Sequence, residues 1–198
     1  KSYPSEYYGR NDVVIVMDVS DSTLSDIIVD TGVTFLDYEK ALAIYMVDDK
    51  EFRDDYVGVV AFGGDAYTIS DLVYLGNDQT RELLKDTIRT KTPKGQATTL
   101  DQGLSLAEEM LANSAGAKDV ILISDGRIDE DIYESSLAVA TRMKSKNIRM
   151  HFIQVISSPT GVIGAYGKLA HEVDASYAQT TYPKSININT AQPDAEPT

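Results

Sequence analysis

The sequence predicts an α/β fold: a doubly wound, mostly parallel sheet with one short antiparallel edge strand and helices on both faces. Three observations predict it. Short apolar, β-branched runs recur at 13–17, 57–62 and 120–124, the pattern of strands covered on both faces. Stretches with helical spacing of apolar residues separate them, so strand and helix alternate along most of the chain. Two of the runs deliver an aspartate where they end, Asp18 and Asp125. In open sheets of this kind, ligands bind beyond the carboxyl ends of the strands.

Taken in order, residues 1–11 are polar and contain tyrosines, Pro4 and Gly9, and form a lead-in segment. The strand at 13–17 ends in Asp18, with Ser20 and Ser22 following at alternate positions. Residues 23–33, with Asp26, Asp30 and Gly32, read as a loop holding at most a turn of helix, and long ordered loops beside a site are often functional. Over 35–49, Leu36, Ala41, Leu42, Ile44, Tyr45 and Val47 fit an amphipathic helix loosely. After the strand at 57–62, Gly63-Gly64-Asp65 predicts a hairpin into a short edge strand at 66–69. A helix follows over 77–89, capped by Asn77 or Asp78, and then a loop over 90–98 with Pro93 and Gly95. The next helix, 100–111, aligns Leu100, Leu104, Ala107 and Leu111 on one face. The strand ending at Asp125-Gly126 leads to a helix over 131–145, a strand over 148–156, a short helix over 164–173 and an edge strand at 176–180. The polar stretch 183–198, with Pro193 and Pro197, predicts a disordered tail, leaving one domain over 12–182.

Composition narrows the function classes. A chain of 198 residues can bury a substantial core, and no apolar run approaches the ~20 residues needed to cross a bilayer. The start Lys1-Ser-Tyr-Pro-Ser shows no signal-peptide pattern, so the chain reads as either cytosolic or an excised piece of a longer protein. With no cysteine, disulfides, zinc–thiolate sites and thiol catalysis are excluded. A net charge of −13 argues against a nucleic-acid surface, which needs a basic face. The twelve tyrosines are scattered and read as core or rim residues rather than a binding stripe.

The chemistry concentrates after the first strand. Asp18, Ser20 and Ser22 offer a carboxylate and two hydroxyls, all hard oxygen donors that suit Mg²⁺ or Mn²⁺ better than zinc. Serines in such a position also serve as helix or loop caps. Asp18-Val-Ser20-Asp-Ser22 resembles the Asp-x-Ser-x-Ser signature of von Willebrand factor A (VWA) domains, the first part of their metal-ion-dependent adhesion site. Two further motifs stand in the family's order: Lys94-Gly95-Gln96-Ala97-Thr98-Thr99-Leu100, and Leu122-Ile-Ser-Asp125-Gly126. The resemblance covers residues 12–177 and implies a metal site built from Asp18, Ser20, Ser22, Thr98 and Asp125. Spacing to Leu104 in the family pattern selects Thr98, with Thr99 the alternative. Gln96-Ala97 replaces the small glycines frequent in that loop, and Asp21 replaces another frequent glycine.

What the resemblance implies about function is metal-dependent protein binding. Ser20, Ser22 and Thr98 would ligate Mg²⁺ (Mn²⁺ or Ca²⁺ as alternatives), while Asp18 and Asp125 hold coordinated waters and a partner's Asp or Glu takes the open position. The stretch 55–68 and the helix from Leu100 are most similar to a membrane-tethered prokaryotic group partnered with MoxR-type AAA+ ATPases. That similarity implies an assembly role with a membrane tether outside this chain; a cell-surface adhesion protein is the competing reading. Catalysis is not expected. A haloacid-dehalogenase-type phosphatase needs an aspartate where Ser20 stands, and Gly-x-Ser-x-Gly and the phosphate-binding Gly-x-x-x-x-Gly-Lys-Ser/Thr are absent. His151, between Met150 and Phe152, reads as a packed structural histidine, and His171 as a surface residue.

Overall fold

The computed structural model describes residues 10–25, 33–48, 54–92, 97–156, 163–181, 186–187 and 192–193. Most of the lead-in segment, most of the 23–33 loop, Gln96 and most of the polar tail lie outside the described residues.

The chain runs β1 (Asn11–Asp18), α1 (Asp21–Ser25), α2 (Phe35–Asp48), β2 (Tyr56–Phe62), β3 (Ala66–Tyr74), α3 (Asp78–Lys91) and α4 (Leu100–Leu111). It continues β4 (Ala117–Ser124), α5 (Glu130–Ser145), β5 (Ile148–Ile156), α6 (Ala165–Glu172) and β6 (Ser176–Thr181). Within the tail, β7 (Ile186–Asn187) pairs antiparallel with β8 (Gln192–Pro193). The main sheet has six strands in the order β3-β2-β1-β4-β5-β6, parallel except where β3 pairs antiparallel with β2. It is therefore the doubly wound sheet that alternation predicts, and β1 and β4 are neighbours where the winding reverses.

The apolar runs fill two cores, one on each face. Val13, Ile15 and Met17 of β1 pack with Ile44 and Val47 of α2 and Leu84 and Ile88 of α3. Val14 and Val16 point the other way, joining Leu104, Ala107 and Leu111 of α4, Ala140 and Met143 of α5 and Leu169 of α6. That two-sided burial is why β1 shows no polar alternation. Each large aliphatic side chain so covered contributes ~1.5–3 kcal/mol.

Two elements differ from expectation. β3 has nine residues rather than ending at Ile69. Ser70 and Asp71 break the apolar signal, yet after register shifts between Val57 and Val60 the chain returns to pair Val73 with Val57 and Tyr74 with Tyr56. Such irregularities bend and twist an edge strand and end its usefulness as a template for another chain. α1 occupies the start of the segment read as loop. The cap of α3 resolves to Asn77, whose side chain accepts the backbone N–H of Gln79 at 2.8 Å and of Thr80 at 3.2 Å.

Candidate functional site

The site lies at the carboxyl edge of β1 and β4. Parallel pairing sets Asp18 beside Phe62 of β2, and Met17 beside Ile123 of β4, so Asp18 and the Ser124-Asp125 end of β4 arrive side by side. Asp18 is fully buried. One carboxylate oxygen accepts the Ser20 backbone N–H at 2.9 Å, and the other accepts the Ser124 hydroxyl at 2.7 Å. The first bond turns the chain sharply after the strand, and Val19 N–H then bonds the Phe62 carbonyl at 2.8 Å.

Three sequence-predicted side chains converge here by direct contact. The Ser20 and Ser22 hydroxyls are 3.2 Å apart, and Ser22 donates to an Asp125 carboxylate oxygen at 2.5 Å. Since Ser22 spends its hydrogen on Asp125, its oxygen can only accept from Ser20, whose hydroxyl also lies against the Asp18 carboxylate. The other Asp125 oxygen accepts the Arg127 backbone N–H at 3.1 Å, and the Gln154 side chain donates to the Asp125 carbonyl at 3.2 Å. Asp125 is thus held from both sides, with its side chain 4% exposed. Gly126 adopts φ +89°, a left-handed conformation that favours glycine, and a Cβ there would sit 2.1 Å from the Gln154 amide nitrogen.

Thr98 and Thr99 open α4 at the same edge. Thr99 donates its hydroxyl to the Gly63 carbonyl at 2.7 Å and its N–H to the same oxygen at 3.2 Å. Its hydroxyl is therefore committed to tying α4 to the end of β2, which leaves Thr98, half-buried, as the better candidate ligand. Asp21 is exposed. Thr99→Val is expected to cost ~0.5–1.5 kcal/mol of stability, the usual net value of one hydrogen bond, plus part of the desolvation of Gly63. Urea unfolding measures it; an unchanged midpoint would show that Thr99 is not the tie.

The profile of the von Willebrand factor type A domain matches residues 13–127. The chain belongs to this family. Solved structures show the same VWA fold. BatB from Bacteroides thetaiotaomicron aligns with a TM-score of 0.68 at 19% identity, covering 87% of this chain and 91% of that one. An aerotolerance-related membrane protein from Bacteroides fragilis aligns at 0.66 and 21% identity, covering 92% and 94%. The vWF domain of the pilus tip protein Mfa5 from Porphyromonas gingivalis aligns at 0.67 and 13% identity, covering 92% of each chain. At these identities the likeness is one of fold. No curated protein matches the chain.

Three participants at this VWA edge escaped sequence reading. Ser124 bridges the Asp18 carboxylate and the Gly126 N–H, the latter at 3.0 Å. It lies within a quoted motif, but nothing in its spacing announces the bond. Gln154 comes from β5, and only the sheet order places it here. Glu39 of α2 is fully buried, and neither carboxylate oxygen has a hydrogen-bond partner. In the sequence it looks like the polar side of a loosely amphipathic helix.

The electrostatics follow from this crowding. Burial first, and then the negative charge of Asp125, push the Asp18 carboxyl up to about 7, against the opposing hydrogen bonds from Ser20 and Ser124. Burial, with Asp18 and Asp125 adding repulsion, holds Glu39 well above the ordinary carboxylate range. Among the described residues no group of three or more acidic or histidine side chains is arranged to hold a metal ion.

His151 differs from the packed histidine expected. Its side chain is 40% exposed, with Nδ1 2.8 Å from the Ser176 hydroxyl and Nε2 3.0 Å from Asp119, which also accepts from Arg149 at 2.7 Å. Met150 and Phe152 alternate into the α4–α6 core, whereas His151 shares the other face with exposed Arg149, before Ile153 and Val155 of that face enter the α2–α3 core. The group ties β4, β5 and β6 together away from the Asp18 edge. His171 is exposed, as expected.

Proposed function

We propose that this VWA domain is a protein-binding module that uses a divalent cation at the Asp18 edge to engage a carboxylate of its partner. The observation that supports the reading is the spacing of the two hydroxyls, 3.2 Å between Ser20 and Ser22. Adjacent oxygens around an ion with bonds of ~2.1 Å stand about 3.0 Å apart, so the pair fits two neighbouring positions on Mg²⁺ with little movement. The donor set is hard and oxygen-only, as Mg²⁺ or Mn²⁺ requires, with Ca²⁺ an alternative. Bound there, such an ion would supply an electrophilic position for an external Asp or Glu side chain.

The chain's own residues divide the work. Ser20, Ser22 and Thr98 would hold the ion through neutral oxygens. Asp125 orients Ser22, and Asp18 fixes the Ser20 turn through its backbone bond; both would accept hydrogens from water on a bound ion. Few direct ligands are anionic, so the ion's charge stays poorly neutralised and an incoming carboxylate is favoured. That carboxylate must also be desolvated, so contacts around the site have to supply the rest of the affinity. The role is non-enzymatic.

A second reading is an assembly factor for a MoxR-type AAA+ ATPase, acting from a membrane tether outside this chain. Both Bacteroides proteins align with this chain over nearly their whole length, and one is a membrane protein. A cell-surface or periplasmic setting suits either reading. No helix among the described residues is long and apolar enough to cross a membrane.

Calorimetric titration of Mg²⁺ into chelator-treated protein tests the metal. One site is expected in wild type, and at least tenfold weaker binding in Thr98→Ala; no site-specific heat in wild type would sink the proposal. A pull-down from the source cell with Mg²⁺, with chelator, and with Thr98→Ala then tests the interface. A partner retained equally in all three would place recognition elsewhere.

A further inference from the structure

Glu39 has no structural reason to be a glutamate. It lies in the second turn of α2, fully buried, on the face where Leu36 and Ala43 join the core. A buried carboxyl normally finds hydrogen-bond donors, because an unpaired one loses its hydration without compensation. Among the described residues neither Glu39 oxygen has one. An apolar residue would fill the position at lower cost.

The charges that act on Glu39 belong to the site. α2 begins at the carboxyl edge of the sheet, and its first turns pack behind the end of β1. Tyr38, the preceding residue, reaches Thr180 of β6 at 2.8 Å, which fixes this turn against the sheet's carboxyl ends. Asp18 and Asp125 are the charges that act on Glu39, and Glu39 and Asp18 both act on the buried Tyr166 hydroxyl. Two buried carboxylates and an orphaned third therefore lie close enough to repel one another. Such an arrangement is repulsive by itself and becomes favourable when a cation enters it.

We propose that Glu39 is a further residue of the cation site, supplying a negative charge from the α2 side that increases the site's hold on a divalent ion. The proposal rests on the metal-dependent reading above. Glu39 acts at a remove, through charge and coordinated water, since among the described residues no three acidic side chains converge closely enough to ligate together. Asp18 and Asp125 would balance a divalent ion, and Glu39, giving up its proton as the ion enters, would add a surplus charge. A site so built keeps its ion at lower free concentration and draws a partner's carboxylate less strongly than one with two carboxylates.

The test is Mg²⁺ titration of the whole chelator-treated chain, with thermal unfolding followed by circular dichroism in chelator. Glu39→Gln, of equal length and neutral, is expected to bind Mg²⁺ at least fivefold more weakly than wild type. Glu39→Met, unbranched and apolar, is expected to weaken binding equally and to melt higher than wild type in chelator. A folded variant whose affinity changes less than fivefold overturns the Glu39 assignment while the cation reading stands. Wild-type protein that binds no Mg²⁺ overturns both. Failure of both variants to fold also overturns the assignment, because it would reveal structural partners for the carboxyl.

Discussion

Asp18→Asn is expected to erase the response to Mg²⁺ and, in chelator, to make the protein more stable at about pH 8 than wild type. The carboxyl of Asp18 is pushed up to about 7 in the folded chain against an ordinary value of 3.8. Between those values the folded state holds a proton that the unfolded chain releases, so wild-type stability falls as pH rises through the window. The slope is at most ~1.4 kcal/mol per pH unit for one group. Asparagine keeps the shape, can accept the Ser20 N–H and can donate to Ser124, and has no charge to desolvate.

Mg²⁺ acts in the opposite direction. At ~100 times its dissociation constant it should stabilise wild type by ~2.7 kcal/mol and the variant not at all. Urea unfolding from about pH 5 to about pH 8, with Mg²⁺ and with chelator, measures both effects. Glu39 and Asp55 are also raised, chiefly by burial, and act with the same sign, so the Asp18 share is the difference between wild type and Asp18→Asn. Asp12 and Asp119 fall outside the window. Burial pushes Asp12 and Asp119 up, but hydrogen bonds from Arg10 and Gly116 to the first, and from His151 and Arg149 to the second, leave both below 3.8. Their contribution is present above the ordinary value and is lost only as pH falls through the lower folded one. Wild-type protein in chelator whose stability is flat between about pH 5 and about pH 8 would refute the charge argument.

Gly103→Val is expected to cost ~1–3 kcal/mol by overpacking and to abolish Mg²⁺ binding although it touches no ligand. A Cβ at Gly103 would stand 2.9 Å from both Cβ and Cδ1 of Phe62, and the Cβ of a strand residue cannot rotate away. Phe62 is buried, and its carbonyl bonds Val19, the residue after Asp18. Gly103 is in turn one helical turn from Thr99, whose carbonyl accepts its N–H at 3.1 Å. Lifting α4 off β2 therefore displaces Thr98 relative to Asp18. Calorimetry and urea unfolding on the same preparation decide it. Wild-type affinity in a folded Gly103→Val would mean that Thr98 need not sit where α4 puts it.

Much of this fold was legible because its strands are covered twice. An apolar run such as 13–17 or 120–124 allows little but a central strand, and α4 spans Leu100–Leu111 as its leucine spacing requires. Asp18, Ser20, Ser22 and Asp125 were legible for a similar reason: polar side chains where a buried strand ends must lie at the sheet edge. β3 was read too short because Ser70 and Asp71 sit on an edge strand, where half the positions meet solvent and apolar runs stop marking the length.

The sequence alone determined which strands form the centre, which edge bears the oxygen donors and which family the motifs resemble. Only the tertiary structure decided how those donors are held. Family spacing already preferred Thr98 to Thr99; what the structure adds is the bond that commits the Thr99 hydroxyl to Gly63, a residue on another element. Ser124 and Gln154 reach Asp18 and Asp125, and Glu39 comes under the charge of both, through the packing of β4, β5 and α2 around the end of β1. Local pattern reports whether a side chain is compatible with water. It cannot report that a glutamate on a half-polar helix has been turned inward, because the neighbours that impose its burial are supplied by strands distant in the chain.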